Sequence, residues 1–448
     1  MASTYLSRTN GSAPTNTTKA TVSCWVKKGG LGDHQGIFGV RNTGNNNINV
    51  QCGYFNGTYY MWYKDGTTDY YLQDCVNIPR DMNAWYHVVF RFDTTQGAAA
   101  DRLRIYVNGQ DLGNSNFSTK SNPTSNDDII IGTNGLEFSI GRYTFTGGSH
   151  NYLEGAISHF HYCDGYSYGP ESFAETDATT GEWKIISLPS VSYGNNGFFV
   201  LRDDNTGTDH SGNSNNLTVG GGTLTKVEDC PSNNFAVINQ AYNQTSTIEY
   251  GNTKNTNASN KFGGVATIGV DTGKYYAEFK YGAASSSTGA VGIFGDPNEA
   301  SRDNQGVGKH TKSYSYRSSD GQKVIENTTS SYGNSYDNGD IIGMALDLDN
   351  NKLYFSKNGS WQNGGDPTSG ATGTGAIPIA LTSPTGYWFM AANCNSASDT
   401  SVWEHNYGNG YFGTTAVSSA GTNASNIGIF EYDVPAGFTA LCTKGLNT

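Results

Sequence analysis

At 448 residues the chain is too long for one ordinary sandwich and long enough for two domains with full cores. Its 58 glycines, only 11 prolines, 12% aromatic and 15% charged residues describe strands joined by polar turns, and exclude collagen-like, wholly disordered and helix-rich architectures. The balance of 27 basic against 39 acidic residues leaves a net charge of −12, so neither nucleic acid nor an anionic membrane is expected as a partner. The start, MASTYLSRTNGSAPT, has no apolar run, and neither a signal peptide nor a membrane anchor is expected. Seven cysteines, at 24, 52, 75, 163, 230, 394 and 442, stand singly without a CxxC, which suits reduced thiols of a protein made in the cytoplasm.

Strands are expected at 21 to 26, 37 to 40 and 58 to 63, the last following the hairpin dipeptide Asn56-Gly57. In WYHVVFRFD (85 to 93), Tyr86, Val88, Phe90 and Phe92 share one face, with His87, Arg91 and Asp93 on the other. DRLRIYVNGQ (101 to 110) alternates likewise and turns at Asn108-Gly109, and further strands are expected at 136 to 142 and 153 to 162. The pattern loosens over 186 to 235, read as a loop-rich connector between a first domain (1 to 185) and a second (236 to 425). Residues 426 to 448 form a closing segment. The fold class is all-β: two antiparallel β-sandwich (jelly-roll) domains.

The stretch LDLDNNKLYFSKNGSW (346 to 361) begins like a calcium loop, with Asp347, Asp349 and Asn351 at positions one, three and five. Lys352 then stands where such a loop needs Gly, and Asn358 where it needs a bidentate Glu. Read as a hairpin, Ile342, Met344, Leu346 and Leu348 share a core face, Asn350-Asn351 turns the chain, and Leu353 and Phe355 return on that face. Asp347 and Asp349 then point outward.

Several stretches, in order, carry a resemblance. TVSCWVKKGGLGDHQGIFGV (21 to 40), WYHVVFRFD, LRIYVNG (103 to 109), SIGRY (139 to 143) and YLEGAISHFHYCDG (152 to 165) resemble the laminin-G-like, concanavalin-A-like jelly rolls over residues 5 to 185. YGPESFAETDATTGEWK (168 to 184), DHSGNSNNLTV (209 to 219), DCPSNNFAVIN (229 to 239) and YDVPAGFTALCT (432 to 443) are similar to segments of bacteriophage tail-fibre and other virion proteins. GKYYAEFK (273 to 280), VGIFG (291 to 295), NGDIIGMALDLDNNKLYFSKNGSW (338 to 361), YWFMAA (387 to 392) and WEHNYGNGYF (403 to 412) resemble a SPRY domain, with Asn406-Tyr407-Gly408 as its terminal Asn-aromatic-Gly. The SPRY resemblance implies a partner-binding module without catalysis. The jelly-roll resemblance leaves a rim calcium open, with Asp33, Asp164 and Asp209 as donors but no coordinating set; no other cofactor is expected.

Enzymatic signatures fail on inspection. Glu431-Tyr432-Asp433 begins a glycanase-like Glu-x-Asp-x-x-Glu, but Ala436 stands at the second Glu. GVDTGKYY (269 to 276) is one residue short of a phosphate loop and has Tyr275 where Ser or Thr belongs. His159 and His161 alternate on one strand with no third metal ligand, and solvated strand histidines are the favoured reading.

The most informative surface candidate is YFNGTYYMWYKDGTTDYYL (54 to 72), where Tyr59, Met61 and Tyr63 alternate with Tyr60 and Trp62. One aromatic face enters the core and the other must be covered, by a neighbouring subunit or the second domain ahead of a glycan stacked on it. Tyr59, Trp62, Tyr63 and Tyr70 are the candidate ligand-binding residues. The expectation is a non-enzymatic phage virion protein, a tail-fibre or receptor-binding component recognising a host-surface glycan or protein. It would sit on the tail or capsid exterior beside other virion proteins, as a homo-oligomer with a trimer as the usual solution. A capsid decoration protein is the alternative, and a capsular depolymerase ranks below both.

Overall fold

The computed structural model describes residues 3–30, 32, 34–77, 81, 84–145, 148–242, 246–257, 263–283, 288–298, 306–395 and 400–447. It is all-β, and its long strands pair antiparallel in two compact units, 1–226 and 227–448. No helix among the described residues is long and apolar enough to cross a membrane. None of the seven cysteines is joined in a disulfide, and six are buried.

The first unit packs an eight-stranded sheet on a six-stranded one. The larger runs Phe117–Ser121, Asp69–Cys75, Thr58–Asp65, Asn45–Phe55, Gln35–Asn42, Glu137–Ile140, Tyr5–Thr9, Thr218–Gly220. The smaller runs Phe198–Val200, Gly155–Asp164, Lys19–Lys28, Trp85–Asp93, Leu103–Val107, Gln110–Asp111. Period-two alternation turns Val22, Cys24, Val26, Val88, Phe90, Phe92, Leu103 and Ile105 inward against Phe38, Val50, Met61, Leu72 and Phe138. Asn56-Gly57 and Asn108-Gly109 make their turns with positive φ at both residues, the geometry that matches the right-handed strand twist.

The connector expected over 186 to 235 is divided between the units. Phe198–Val200 pairs with Phe160–Tyr162, Thr218–Gly220 pairs with Tyr5–Ser7, and Leu217 joins the first core. Short apolar runs between Asn- and Gly-rich loops therefore complete the first sandwich, whose unit ends at Lys226.

The second unit pairs a sheet running Thr247–Glu249, Lys254–Asn257, Ser401–Asn406, Lys274–Ala283, Ile341–Asp347, Lys352–Lys357, Ser360–Trp361 with a six-stranded sheet. The latter runs Val265–Val270, Trp388–Cys394, Gly289–Phe294, Ser313–Arg317, Lys323–Ile325, Thr328–Ser330. Ile342, Met344, Leu346, Leu348, Leu353 and Phe355 all lie in its core, as the hairpin reading requires. The closing segment belongs to this unit: Thr439–Ala440 adds in parallel to Tyr275–Tyr276, and Cys442 bridges to Phe235. Ala236 N–H donates to Leu441 O and Thr443 N–H to Asn234 O, each at 2.9 Å, so the unit's first and last segments are zipped together.

Candidate functional site

Register decides which aromatic residues of the 54 to 72 stretch face outward. Val50 pairs with Tyr63 and Tyr63 with Tyr70, so these share the inner face. Tyr59, Tyr63 and Tyr70 are buried in the first core, the Tyr63 and Tyr70 rings 4.9 Å apart, and the Tyr70 hydroxyl donates to Asp127 at 3.0 Å. These three candidate ligand residues have no ring face to offer a ligand. Trp62 alone of the four points outward, and its cross-strand neighbour is Tyr71. Tyr71 was missed in the sequence because Tyr70-Tyr71 is an aromatic pair and only the register of the hairpin says which of the two is outside. The turn Asp65–Thr68 sets that register: Asp65 Oδ1 accepts from Thr67 N and Thr68 N at 2.8 Å each.

The outer face is built in rows. Gln51, Trp62, Tyr71 and Ser121 oppose one another across four strands; Asn49, Lys64 and Asp69 form the next row, and Gln73 pairs with Thr119. Lys64 Nζ lies 3.5 Å from an Asp69 carboxylate oxygen, so the charges in the second row compensate. Part of this face is covered. The hairpin Arg142–Thr144 with His150–Tyr152 lies over it: Tyr143 OH donates to Tyr54 O at 3.1 Å, and Asn49 Nδ2 donates to Thr144 O. Tyr60 is buried beneath it, 5.1 Å from the Phe55 ring and 6.2 Å from Tyr143. A Cβ on Gly36 would sit 2.2 Å from Tyr143 N, so only glycine admits the hairpin this closely. Trp62 and Tyr71 stay partly exposed beyond its edge, beside Lys64, Gln73, Thr119 and Ser121. Two adjacent aromatic side chains edged by amides and hydroxyls, with internally balanced charge, suit stacking on a sugar or on an apolar side chain plus directed hydrogen bonds.

Part of the other sheet's outer face is covered too. The hairpin Ala174–Thr176 with Trp183–Ile185 packs on Trp25 and Trp85. Trp183 Nε1 donates to His87 Nδ1 at 3.1 Å, and His87 Nε2 stands 2.8 Å from Ser23 Oγ. An indole N–H can only donate, so Nδ1 accepts and the neutral ring carries its proton on Nε2, donating to Ser23. The pair is therefore wired opposite to a serine nucleophile and its base. Burial pulls His87 down to about 3 and holds the ring neutral.

His159 and His161 do not form a solvated pair. A bulge between Ser158 and His161, with His159 at φ 47°, breaks the alternation. His161 is buried, stacked 3.9 Å from Phe199, with Nδ1 2.9 Å from Tyr193 OH. Desolvation lowers both, His159 to about 4.

The acidic residues act as acceptors for their own loops. Asp164 Oδ2 accepts from Thr15 N and Asn196 N at 3.1 and 3.0 Å, tying the 12 to 16 loop to 193 to 196. Asp209 accepts from Phe199, Ser211 and Asn215 N–H groups. Asp33 lies outside the described residues. Asp347, expected outward, is buried: it pairs with Lys274 Nζ at 3.1 Å and caps Asn350 N at 3.0 Å. Asp349 accepts from Gly273 N at 2.9 Å. Glu431 and Asp433 receive the Ser418 and Thr422 N–H groups. Among the described residues, no three His, Cys, Asp or Glu side chains gather as a metal ion needs.

In the second unit, Asn406 Oδ1 accepts from Gly408 N and Gly410 N at 3.0 and 3.1 Å, so the Asn-aromatic-Gly stretch is a structural turn. His405 is satisfied by Asn255 Oδ1 at 2.7 Å and Tyr407 OH at 3.0 Å, and burial holds it neutral. An open polar depression of about 500 Å³ is lined by Tyr332, Asn334, Ser360, Trp361 and Asn363 among others.

Residues 2–164 match the laminin-G-like model of the concanavalin A-like lectin/glucanases superfamily, and residues 258–382 match the SPRY domain model. No curated protein matches the chain. Among solved structures, the SPRY domain of human HERC1 is 18% identical, with 38% of this chain and 96% of that one covered and a TM-score of 0.28. A heptameric SAP-like pentraxin from Limulus polyphemus is 17% identical, with 49% and 90% covered and a TM-score of 0.30.

Proposed function

We propose that this chain, which carries a laminin-G-like domain and a SPRY domain, is a non-enzymatic recognition protein of a bacteriophage virion. In this reading it is a tail-fibre or receptor-binding component that contacts a host-surface glycan or protein, assembled as a homo-oligomer with other virion proteins. The observation that carries it is the partly exposed Trp62–Tyr71 pair on a four-stranded surface. Aromatic anchors on a preorganised sheet lose little entropy on binding. The ordered likeness of residues 168 to 184, 209 to 219, 229 to 239 and 432 to 443 to phage virion proteins supports the virion assignment. The non-enzymatic reading is supported by Glu431 and Asp433 being engaged by Ser418 and Thr422.

The test is adsorption of purified particles carrying Trp62→Ala, with this chain located by electron cryomicroscopy. Density on the tail and at least a tenfold slower adsorption with intact particles are expected. Density on the capsid lattice with unchanged adsorption overturns receptor binding in favour of decoration.

A further inference from the structure

Glu278, on the Lys274–Ala283 strand, is fully buried and unused by the recognition surface. Its Oε2 accepts Glu431 N–H at 2.8 Å and Asn406 Nδ2 at 3.3 Å. Its Oε1 accepts Tyr432 N–H at 2.8 Å and the Tyr276 hydroxyl at 3.1 Å. One carboxyl group thus grips two consecutive backbone N–H groups of the closing segment. The segment is also held by Ile429 N–H on Gly408 O at 2.9 Å, by Asn406 Nδ2 on Ile429 O at 3.0 Å and by a small cluster, Phe430, Val434 and Phe438 against Phe235, Tyr276, Ala345 and Tyr354.

The charged and titratable groups around this grip come from every element packed on it. Tyr276 lies on the same strand, where Lys274 is held by Asp347 and Lys280 lies over the Phe412 ring at 5.9 Å. Tyr432 comes from the closing segment, and the Glu431 carboxylate turns away to Ser418. Asp340, in the turn before Ile341–Asp347, acts on Tyr432 and is paired with Lys357 at 3.0 Å. Among the described residues, no cation pairs with Glu278. Ser356, from the neighbouring Lys352–Lys357 strand, meets the same small space as the Tyr276 hydroxyl above Gly343 and hydrogen-bonds with it.

These groups make a complete path for an added proton. A protonated Glu278 donates to the Tyr276 oxygen, and the Tyr276 hydroxyl donates to the Ser356 Oγ beside it, while both backbone N–H groups keep an acceptor. We propose that Glu278 is a protonation-controlled clasp, which holds the 427 to 434 segment most firmly as the neutral acid and loosens it as pH rises through neutrality. Undocking the segment lets water reach an ionised carboxylate that the docked state buries without a counterion.

Desolvation raises the docked carboxyl to about 7 from an ordinary 4.5. The docked state therefore binds the proton more tightly; docking is strongest below pH 4.5 and that gain is gone above pH 7. Between pH 5.5 and 8.5 about 1.5 of the 2.5 units of difference are swept, a fall of about 30-fold in the docking constant.

Hydrogen exchange of the full chain, corrected for the pH dependence of intrinsic rates, reads this directly. Amides of 427 to 434 are expected to lose about 30-fold protection from pH 5.5 to 8.5, while amides of the Gly289–Phe294 strand do not follow. Glu278→Gln is expected to flatten the response. Should the Gln variant fail to fold, the loss of protection in the wild type alone decides the matter. Equal protection at both pH values, tighter docking at pH 8.5, or an undiminished response in Glu278→Gln overturns the clasp.

Discussion

Acid should open the first unit through His87, by an amount that its surroundings define. The ring is fully buried, stacked 5.2 Å from Trp25, with both nitrogens used by Trp183 and Ser23. Protonation in place would set a proton on Nδ1 against the Trp183 N–H. Burial accordingly pulls the folded value to about 3, against 6.5 for the unfolded chain. Because the folded value is depressed, His87 contributes full stability above pH 6.5, and that contribution is lost as pH falls toward 3. At pH 5.0 the unfolded ring is almost wholly protonated and the folded ring is not, and the interval of about 1.5 pH units below 6.5 makes this worth about 2 kcal/mol. The folded ring does not titrate there, so the whole term appears as lost stability. His161 and His159 are shifted the same way, so the wild-type fall exceeds the His87 share. The assay is hydrogen exchange of the Lys19–Lys28 and Trp85–Asp93 amides in rising urea, which reads global opening of this unit, at pH 7.5 and 5.0. The wild type and His87→Gln are compared, and the fall should be about 2 kcal/mol smaller in the variant. Equal falls in both proteins would refute the argument that His87 is kept neutral by its burial.

The same cluster predicts that Trp183→Phe, which keeps the ring packing and deletes only the N–H, leaves His87 Nδ1 buried without a donor. The cost should be about 1–3 kcal/mol in a thermal or urea melt, and a change under about 0.5 kcal/mol would mean that the bond is not made in solution. Gly36→Ala should cost at least about 1–3 kcal/mol, because the new methyl meets backbone of Arg142, Tyr143 and Asn151 within 2.7 Å. Gly11→Ala, with open space around the site, is its control and should melt as the wild type does.

Much of this protein was legible from periodicity. The alternation of 85 to 93 and 341 to 355 named the core residues, because a strand's period of two leaves no freedom once one face is apolar. The Asn-Gly turns were legible because few residue pairs accept positive φ twice in succession. The calcium reading of 346 to 361 could be set aside from Lys352 and Asn358 alone. What alternation cannot say is whether the second face is wet. His87 and His161 read as outward and are buried, the first because a hairpin some ninety residues downstream lies on that face, the second beneath Phe173, Tyr193 and Phe199. Tyr60 and Trp62 share a face by period, yet the 142 to 152 hairpin covers the first and leaves the second partly open.

The sequence by itself determined the two sandwiches, their inward residues and their tight turns, since these follow from local sterics and the burial of alternate side chains. Only the tertiary structure decided which aromatic of Tyr70-Tyr71 stands beside Trp62, where the first unit ends, and that Glu278 grips residues more than 150 positions away. The first is a fact of hairpin register, which alternation does not fix, and the other two are facts of long-range packing, whose partners no window of sequence short enough to show a period contains together.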